Sequence, residues 1–250
     1  VLSGVSVRLP DRHAGAAHDV RSHALIHASD AEIGKDINVT VSASSANGIT
    51  IRTEYPDMHF HGNVSLSYSV DIEVTMPANA PLTVHNKFGS VEVTGIHAAG
   101  EIVNAQGPVV LRDSRGTQRV ESSFGSVLVE RSAGDTSVQN ANGSVRIDNV
   151  DGTLNVTNRF GPVTVNDAHD VTIHNGNGAV EVLGVTGNAT IVDSFDTVRI
   201  AHVSGDLNLN NHNGRVPLRD VKGRAPPTQS SAPTSFPTIA PNLSSSPITS

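Results

Sequence analysis

Phe124-Gly125-Ser126-Val127-Leu128-Val129-Glu130 is followed eighteen residues later by Asn142-Gly143-Ser144-Val145-Arg146-Ile147-Asp148. Eighteen further on comes Phe160-Gly161-Pro162-Val163-Thr164-Val165. Self-similarity at a short fixed period is the mark of a repeat architecture. The slot glycine runs through Gly89, Gly107, Gly125, Gly143, Gly161, Gly178 and Gly214, with Asp196 in its place once. The step is 18 residues, except for 17 between Gly161 and Gly178. The second and fourth residues after each slot are β-branched or Leu in all eight units, from Val91 and Val93 to Val216 and Leu218. They alternate with mostly polar neighbours, which is the pattern of a short strand with one buried face.

The ninth position is usually glycine again, as at Gly116, Gly134, Gly152, Gly187, Gly205 and Gly223, and a second strand follows it. The residue missing from the short step falls near His169 and Asp170. One such unit cannot bury its own apolar face. Stacked units bury every face and pair every backbone donor and acceptor except at the ends. The sequence therefore predicts an all-β parallel β-solenoid, a single-stranded β-helix of two-strand units. Tight turns explain the glycines, because Gly tolerates a positive φ and close backbone approach.

Two further columns refine this. The fifteenth position reads Asn86, Asn104, Ser122, Asn140, Asn158, Asn175, Asp193 and Asn211, a column able to hydrogen-bond from rung to rung. The residue before each slot alternates as Phe88, Gln106, Phe124, Asn142, Phe160, Asn177, Phe195 and Asn213. Coils of 18 residues would stack Phe on amide. Coils of 36 would stack Phe on Phe. The shorter coil is preferred, because two strands and two turns already close the unit. The Phe column is read as filler of the rungs, with an exposed aromatic ladder for glycan stacking as the other reading.

Residues 1–80 lack the glycine register and read as longer strands, including an alternating run from Val64 to Met76. Asn47-Gly48 is a hairpin signal, and Ser29 or Asp30 could cap a helical turn before Ile33. This segment is expected to be an antiparallel β cap on the first rung. Residues 81–223 hold the repeats. From Arg224 the chain turns to Pro, Ser and Thr, and 224–250 is expected to be a disordered tail. Pro217, in the last strand, lacks a donor for any further rung and blunts the open edge.

Composition narrows the function classes. The net charge is −7 with no basic run, so nucleic acid is not expected as a partner. Without cysteine there is no disulfide, zinc–thiolate site or thiol nucleophile. No apolar run reaches the ~18 residues of a membrane span, so contact with a membrane is expected only through a segment outside this chain. The sequence starts at Val1 rather than Met, which reads as a processed product or a fragment.

The chemistry-bearing residues are few. His59 and His61 could place two imidazoles together as metal ligands, but no third ligand stands at a defined spacing. His13, His18, His23 and His27 read as surface positions. Asp148, Asp151, Asp167 and Asp170 could flank a sugar as paired carboxylates, although turn geometry accounts for them. Calcium-roll turns and a Gly-x-Ser-x-Gly elbow are both missing. No catalytic residue and no cofactor is expected.

The segments Asn86-Lys87-Phe88-Gly89-Ser90-Val91-Glu92-Val93, Asn140 to Val145 and Thr157 to Val165 carry a resemblance. Together with Ile49 to Pro56 and Met76-Pro77, they are similar to a bacterial β-strand-repeat family named for adhesins, a domain of unknown function. The resemblance covers roughly residues 37–223 and brings no catalytic residues with it. It implies an exported or envelope-attached protein, acting in the periplasm or at the cell surface. The expected function is a non-catalytic, adhesin-like scaffold or binding module that offers a flat β face to a protein or glycan. The alternatives are a polysaccharide-active β-helix enzyme and an envelope-sensing module with a membrane partner.

Overall fold

A computed structural model describes residues 2–8, 21–28, 38–44, 48–54 and 68–225 of the chain. Regular structure among them is entirely β. The N-terminal strands are β1 (Leu2–Arg8), β2 (Arg21–Ala28), β3 (Asn38–Ser44), β4 (Gly48–Glu54) and β5 (Tyr68–Thr75). The coils then follow as β6 (Leu82–Phe88), β7 (Val91–Thr94), β8 (Gly100–Gln106), β9 (Val109–Arg115), β10 (Gln118–Phe124), β11 (Val127–Ala133) and β12 (Thr136–Asn142). Two long strands turn a corner without a break, β13 (Val145–Phe160) and β14 (Val163–Asn175). The last are β15 (Val180–Val185), β16 (Ala189–Phe195), β17 (Val198–Val203), β18 (Leu207–Asn213) and β19 (Leu218–Val221).

Every strand of the repeat pairs in parallel with the strand one unit away. Val127 lies opposite Val109 and Val145, Val145 opposite Val163, and Val163 opposite Val180. Phe124 lies opposite Gln106 and Asn142. The coil is therefore the 18-residue unit, and Phe stacks on amide. The short step is visible as a register shift, where Val150 faces Ala168 but Thr153 faces Asp170.

Alternation along the strands sets the core. Six columns point inward in each coil. They include Val127, Val145, Val163 and Val180, all at most 1% exposed, and Val138, Val156, Ile173 and Ile191 on the opposing strands. One coil contributes a narrow layer of Val, Ile and Leu, which explains how a chain with six Phe and no Trp fills its interior. The slot turn stacks glycine directly on glycine. At Gly143 φ is 134°, and a Cβ there would lie 2.1 Å from the Gly125 carbonyl oxygen.

A third corner was not foreseen. Six positions after the slot, Asp113, Arg131, Asn149, Asp167, His202 and Asp220 all hold φ between 51° and 59°, with Gly95 and Gly184 in the same column. This left-handed residue turns the strand so that the next side chain, such as Val150 or Val203, again points inward. Asp and Asn tolerate that conformation best among residues with a side chain. Arg131 is held there by a two-pronged bond to Asp113 on the previous coil, at 2.6 and 3.1 Å. That guanidinium, helped by Arg112, holds the Asp113 carboxyl below the usual carboxylate range.

The N-terminal strands include the expected antiparallel pairs. β2 runs antiparallel to β5, and β3 antiparallel to β4. But β1 lies parallel to both β5 and β7, and β4 lies parallel to β6. The two parallel ladders thus extend into the N-terminal segment, and only the outermost strands reverse direction. A parallel neighbour satisfies the backbone of the first coil in the same pattern that each coil uses for the next. The proposed helical turn near Ser29, Asp30 and Ile33 lies outside the described residues, as do residues 226–250.

At the far end Pro217 accepts a bond from the Ile200 amide, on the side facing the stack. Arg224, read from sequence as the start of the tail, is still tied to the last coil. Its carbonyl accepts from the Leu207 amide at 2.8 Å, and its amide donates to Asp206 Oδ1 at 2.8 Å. The proline-rich composition begins two residues later, at Pro226.

Candidate functional site

The two outer faces of the solenoid differ in chemistry. On the first-strand face, charges neutralise one another across coils. Arg112 bridges Glu92 and Glu130 at 2.7 and 2.6 Å, and Arg199 reaches Glu181 at 3.4 Å. Arg146 holds Asp148 at 2.7 Å, and Asn166 donates to the same carboxylate at 2.6 Å. The second-strand face carries mainly Thr, Ser, Asn, Gln and Ala. There a shallow groove of about 690 Å³ crosses the outside of β4, β6, β8, β10, β12 and β13.

The repeat explains the groove. The sixteenth position of successive coils reads Lys87, Ala105, Ser123, Ala141 and Arg159. Three short side chains between two long ones leave a recess with a cation at each end. The ends are four coils apart, ~19 Å at the usual strand spacing. Arg52 of β4 lies opposite His85 and extends the lining by one strand. Among the described residues Glu121 is the one carboxylate lining the groove, and it is paired with Arg119 on its own strand.

The Phe column runs beside this recess, one residue further along each strand. Phe124, Phe160 and Phe195 are 58%, 47% and 53% exposed, while Phe88 is half-buried. The expectation that these rings fill the rungs is overturned for the three exposed ones. The interior at this corner is occupied by the Asn column and the slot turn, so the ring is turned outward. Because Phe alternates with amide, the rings stand on every second coil, ~9.6 Å apart. The guanidinium of Arg159 lies 5.6 Å from the centre of the Phe160 ring, a cation–π contact at the end of the recess.

Under the groove lies the amide ladder, buried to 6% exposure or less. Asn86 Nδ2 donates to Asn104 Oδ1 at 3.0 Å. Asn140, Asn158 and Asn175 each donate to the next coil at 3.1–3.2 Å, ending on Asp193 Oδ1. Asn104, Asn140, Asn158 and Asn175 also bond the carbonyl of the slot glycine three residues on, at 2.6–3.1 Å. Asn211 instead reaches the carbonyl of Asp196 at 3.2 Å. The ladder fixes the slot turn and hence the direction of the neighbouring Phe. Burial pushes Asp193 up to about 6, against the bonds it accepts from Asn175 and the Ser194 amide.

The other sequence candidates do not assemble into a site. His59 and His61 lie outside the described residues. Among the described residues no group of three or more His, Asp or Glu is placed to hold a metal. None of Asp148, Asp151, Asp167 and Asp170 lines the groove. Asp148 is held by Arg146 and Asn166, Asp167 sits at the left-handed corner, and Asp170 accepts from the Asn188 amide at 2.7 Å. Sequence reasoning missed Arg52, Lys87 and Arg159. The signal was present in the sixteenth position, where two cations bracket three small residues, but that column is not periodic. No helix among the described residues is long and apolar enough to cross a membrane. Comparison with known proteins finds no matching family model, no matching curated protein and no matching solved structure.

Proposed function

We propose that this chain is a non-catalytic binding module that holds an extended polysaccharide along the groove of its second-strand face. One observation carries the reading: a column of exposed Phe rings on alternate coils, running alongside a recess floored by the short side chains of Ala105, Ser123 and Ala141. These rings leave about half of their surface open, and sugar rings stack on aromatic faces and bond hydroxyl and amide groups beside them. A straight groove across six strands suits a polymer better than a compact small molecule. Catalysis is disfavoured because the single carboxylate lining the groove among the described residues, Glu121, is paired with Arg119, and glycoside hydrolysis uses two. An adhesin-like role outside the cytoplasm, at the cell envelope, is part of the proposal and rests on the sequence resemblance.

Affinity electrophoresis of the full chain through gels containing soluble polysaccharides tests this, with a reducing-end assay on the same mixtures. Retardation by at least one polymer, with no new reducing ends, is the expected result. New reducing ends would assign an enzyme instead. Unchanged mobility across acidic, neutral and basic polymers would refute polymer binding.

A further inference from the structure

We infer that the occupant of the groove is a linear anionic glycan of the polyuronate class, stacked on Phe124 and Phe160 with its acid groups toward Lys87 and Arg159. The inference rests on the binding role proposed above and goes beyond it by naming the charge and form of the ligand.

Charge is the first argument. The protein carries a net charge of −7, yet among the described residues this groove has a cation at each end of its floor, Lys87 and Arg159, and one lining carboxylate. That carboxylate is bridged by a third cation, Arg119. The opposite face uses its arginines internally, in bridges to Glu92, Glu130, Asp148 and Glu181. A local excess of positive charge on an acidic protein selects anions, and a groove shape focuses that field. Arginine suits a planar carboxylate, and Arg159 sits at the end of the recess beside an aromatic ring.

Spacing is the second argument. Neighbouring coils are ~4.8 Å apart and the Phe rings twice that. An extended 1,4-linked sugar chain advances by close to one strand spacing per ring, and in a two-fold chain every second ring presents the same face. A Phe on every second coil then meets equivalent faces of the polymer. The intervening positions carry Gln106 and Asn142, side chains that bond hydroxyls, and Asn142 is oriented by donating to the Ser123 carbonyl at 3.2 Å. A polypeptide anion such as polyglutamate offers the charge without the stacking faces.

The test is titration of the full chain with a linear polyuronate and with the same polymer after methyl esterification of its carboxyl groups. Polyglutamate of matched length serves as a third probe. The expected result is binding of the polyuronate on the order of tenfold or more tighter than of the ester, the value of one or two charged hydrogen bonds. Adding salt should narrow that gap. The K87Q/R159Q double variant should remove the discrimination while keeping residual binding. F124A/F160A should weaken both polymers, and both double variants should melt like wild type, since all four side chains are exposed. Equal affinity for polyuronate and ester would overturn the charge inference and leave the polysaccharide-binding proposal standing. Polyglutamate binding as tight as polyuronate binding would overturn the glycan assignment. Binding of neither sugar polymer would overturn the inference outright.

Discussion

Replacing Asp193 with Asn should stabilise the protein at neutral pH and leave it unchanged in acid. Asp193 is fully buried and stands in the amide ladder between Asn175 and Asn211. Its Oδ1 accepts from Asn175 at 3.1 Å, while its Oδ2 and the Oδ1 of Asn211 are both buried without a partner. Two unpaired acceptors on adjacent coils are what remains when one donor is missing. A proton on Oδ2 would supply it, as the Nδ2 group of Asn does elsewhere in the column. The folded-state value near 6 lies about two units above the ordinary carboxylate value of ~3.9, raised by burial and by the nearby Asp196. The folded state therefore holds this proton more tightly than the unfolded chain. The stability it contributes is complete below pH ~4, declines as pH rises toward 6, and is lost above that. Two units correspond to about 3 kcal/mol, and relaxation around the carboxylate reduces this to on the order of 2 kcal/mol. For a domain of this size that is roughly 4–8 °C in Tm. Melting curves of wild type and Asp193→Asn from pH 3.5 to 8 should coincide at the acid end and separate by that amount above pH 6. Asp193→Ala should be less stable than Asp193→Asn throughout, because it removes the acceptor that Asn175 uses on the next coil. Parallel wild-type and Asp193→Asn curves, or an Asn variant less stable at pH 7, would refute the reasoning.

The other expected outcomes concern the remaining columns. Val145→Asp puts an unpartnered carboxylate into a column that is 1% exposed and should abolish cooperative melting, as circular dichroism would show. Asn158→Ala removes bonds to Gly161, Asn175 and Asn140; at ~1 kcal/mol each, urea denaturation should show a loss of about 2–3 kcal/mol. Asn149→Val places a β-branched residue where φ is 59°, and the same assay should show a cost of about 1–2 kcal/mol. Truncation after Ala225 should leave Tm unchanged, whereas truncation after Gly223 removes the two Arg224 backbone bonds and should lower it by a few degrees.

The solenoid was legible because its physics is periodic. Val127, Val145, Val163 and Val180 recur in step because each must meet the same neighbour above and below. The position of the missing residue near His169 and Asp170 was legible for the same reason. The left-handed corner was harder to see. Asp113, Asn149, Asp167 and Asp220 are the expected residue types, but Arg131 and His202 share their backbone and hide the column. The Phe rings were misread because aromatic side chains usually lie inside. What decides their exposure is the Asn ladder beneath them, and its bonds depend on coil geometry rather than on residue type. The groove depends on which residues happen to be long in one outward column. Lys87 and Arg159 belong to no repeat, so a reading built on periodicity passes over them. The antiparallel pairs of the N-terminal segment were legible, as at the Asn47-Gly48 hairpin, but β1 and β4 carry no glycine register to show that they also continue the parallel ladders.

The binding role is tested most directly by finding which face of the solenoid holds the polymer. Dissociation constants for a polyuronate should be measured with wild type, with Phe124→Ala/Phe160→Ala on the groove face, and with Arg146→Ala/Glu181→Ala on the opposite face. Loss of two stacking rings should weaken binding by about tenfold or more. The opposite-face variant should bind like wild type. Undiminished binding by the Phe variant, or a loss confined to the opposite-face variant, would contradict the assignment of the binding face.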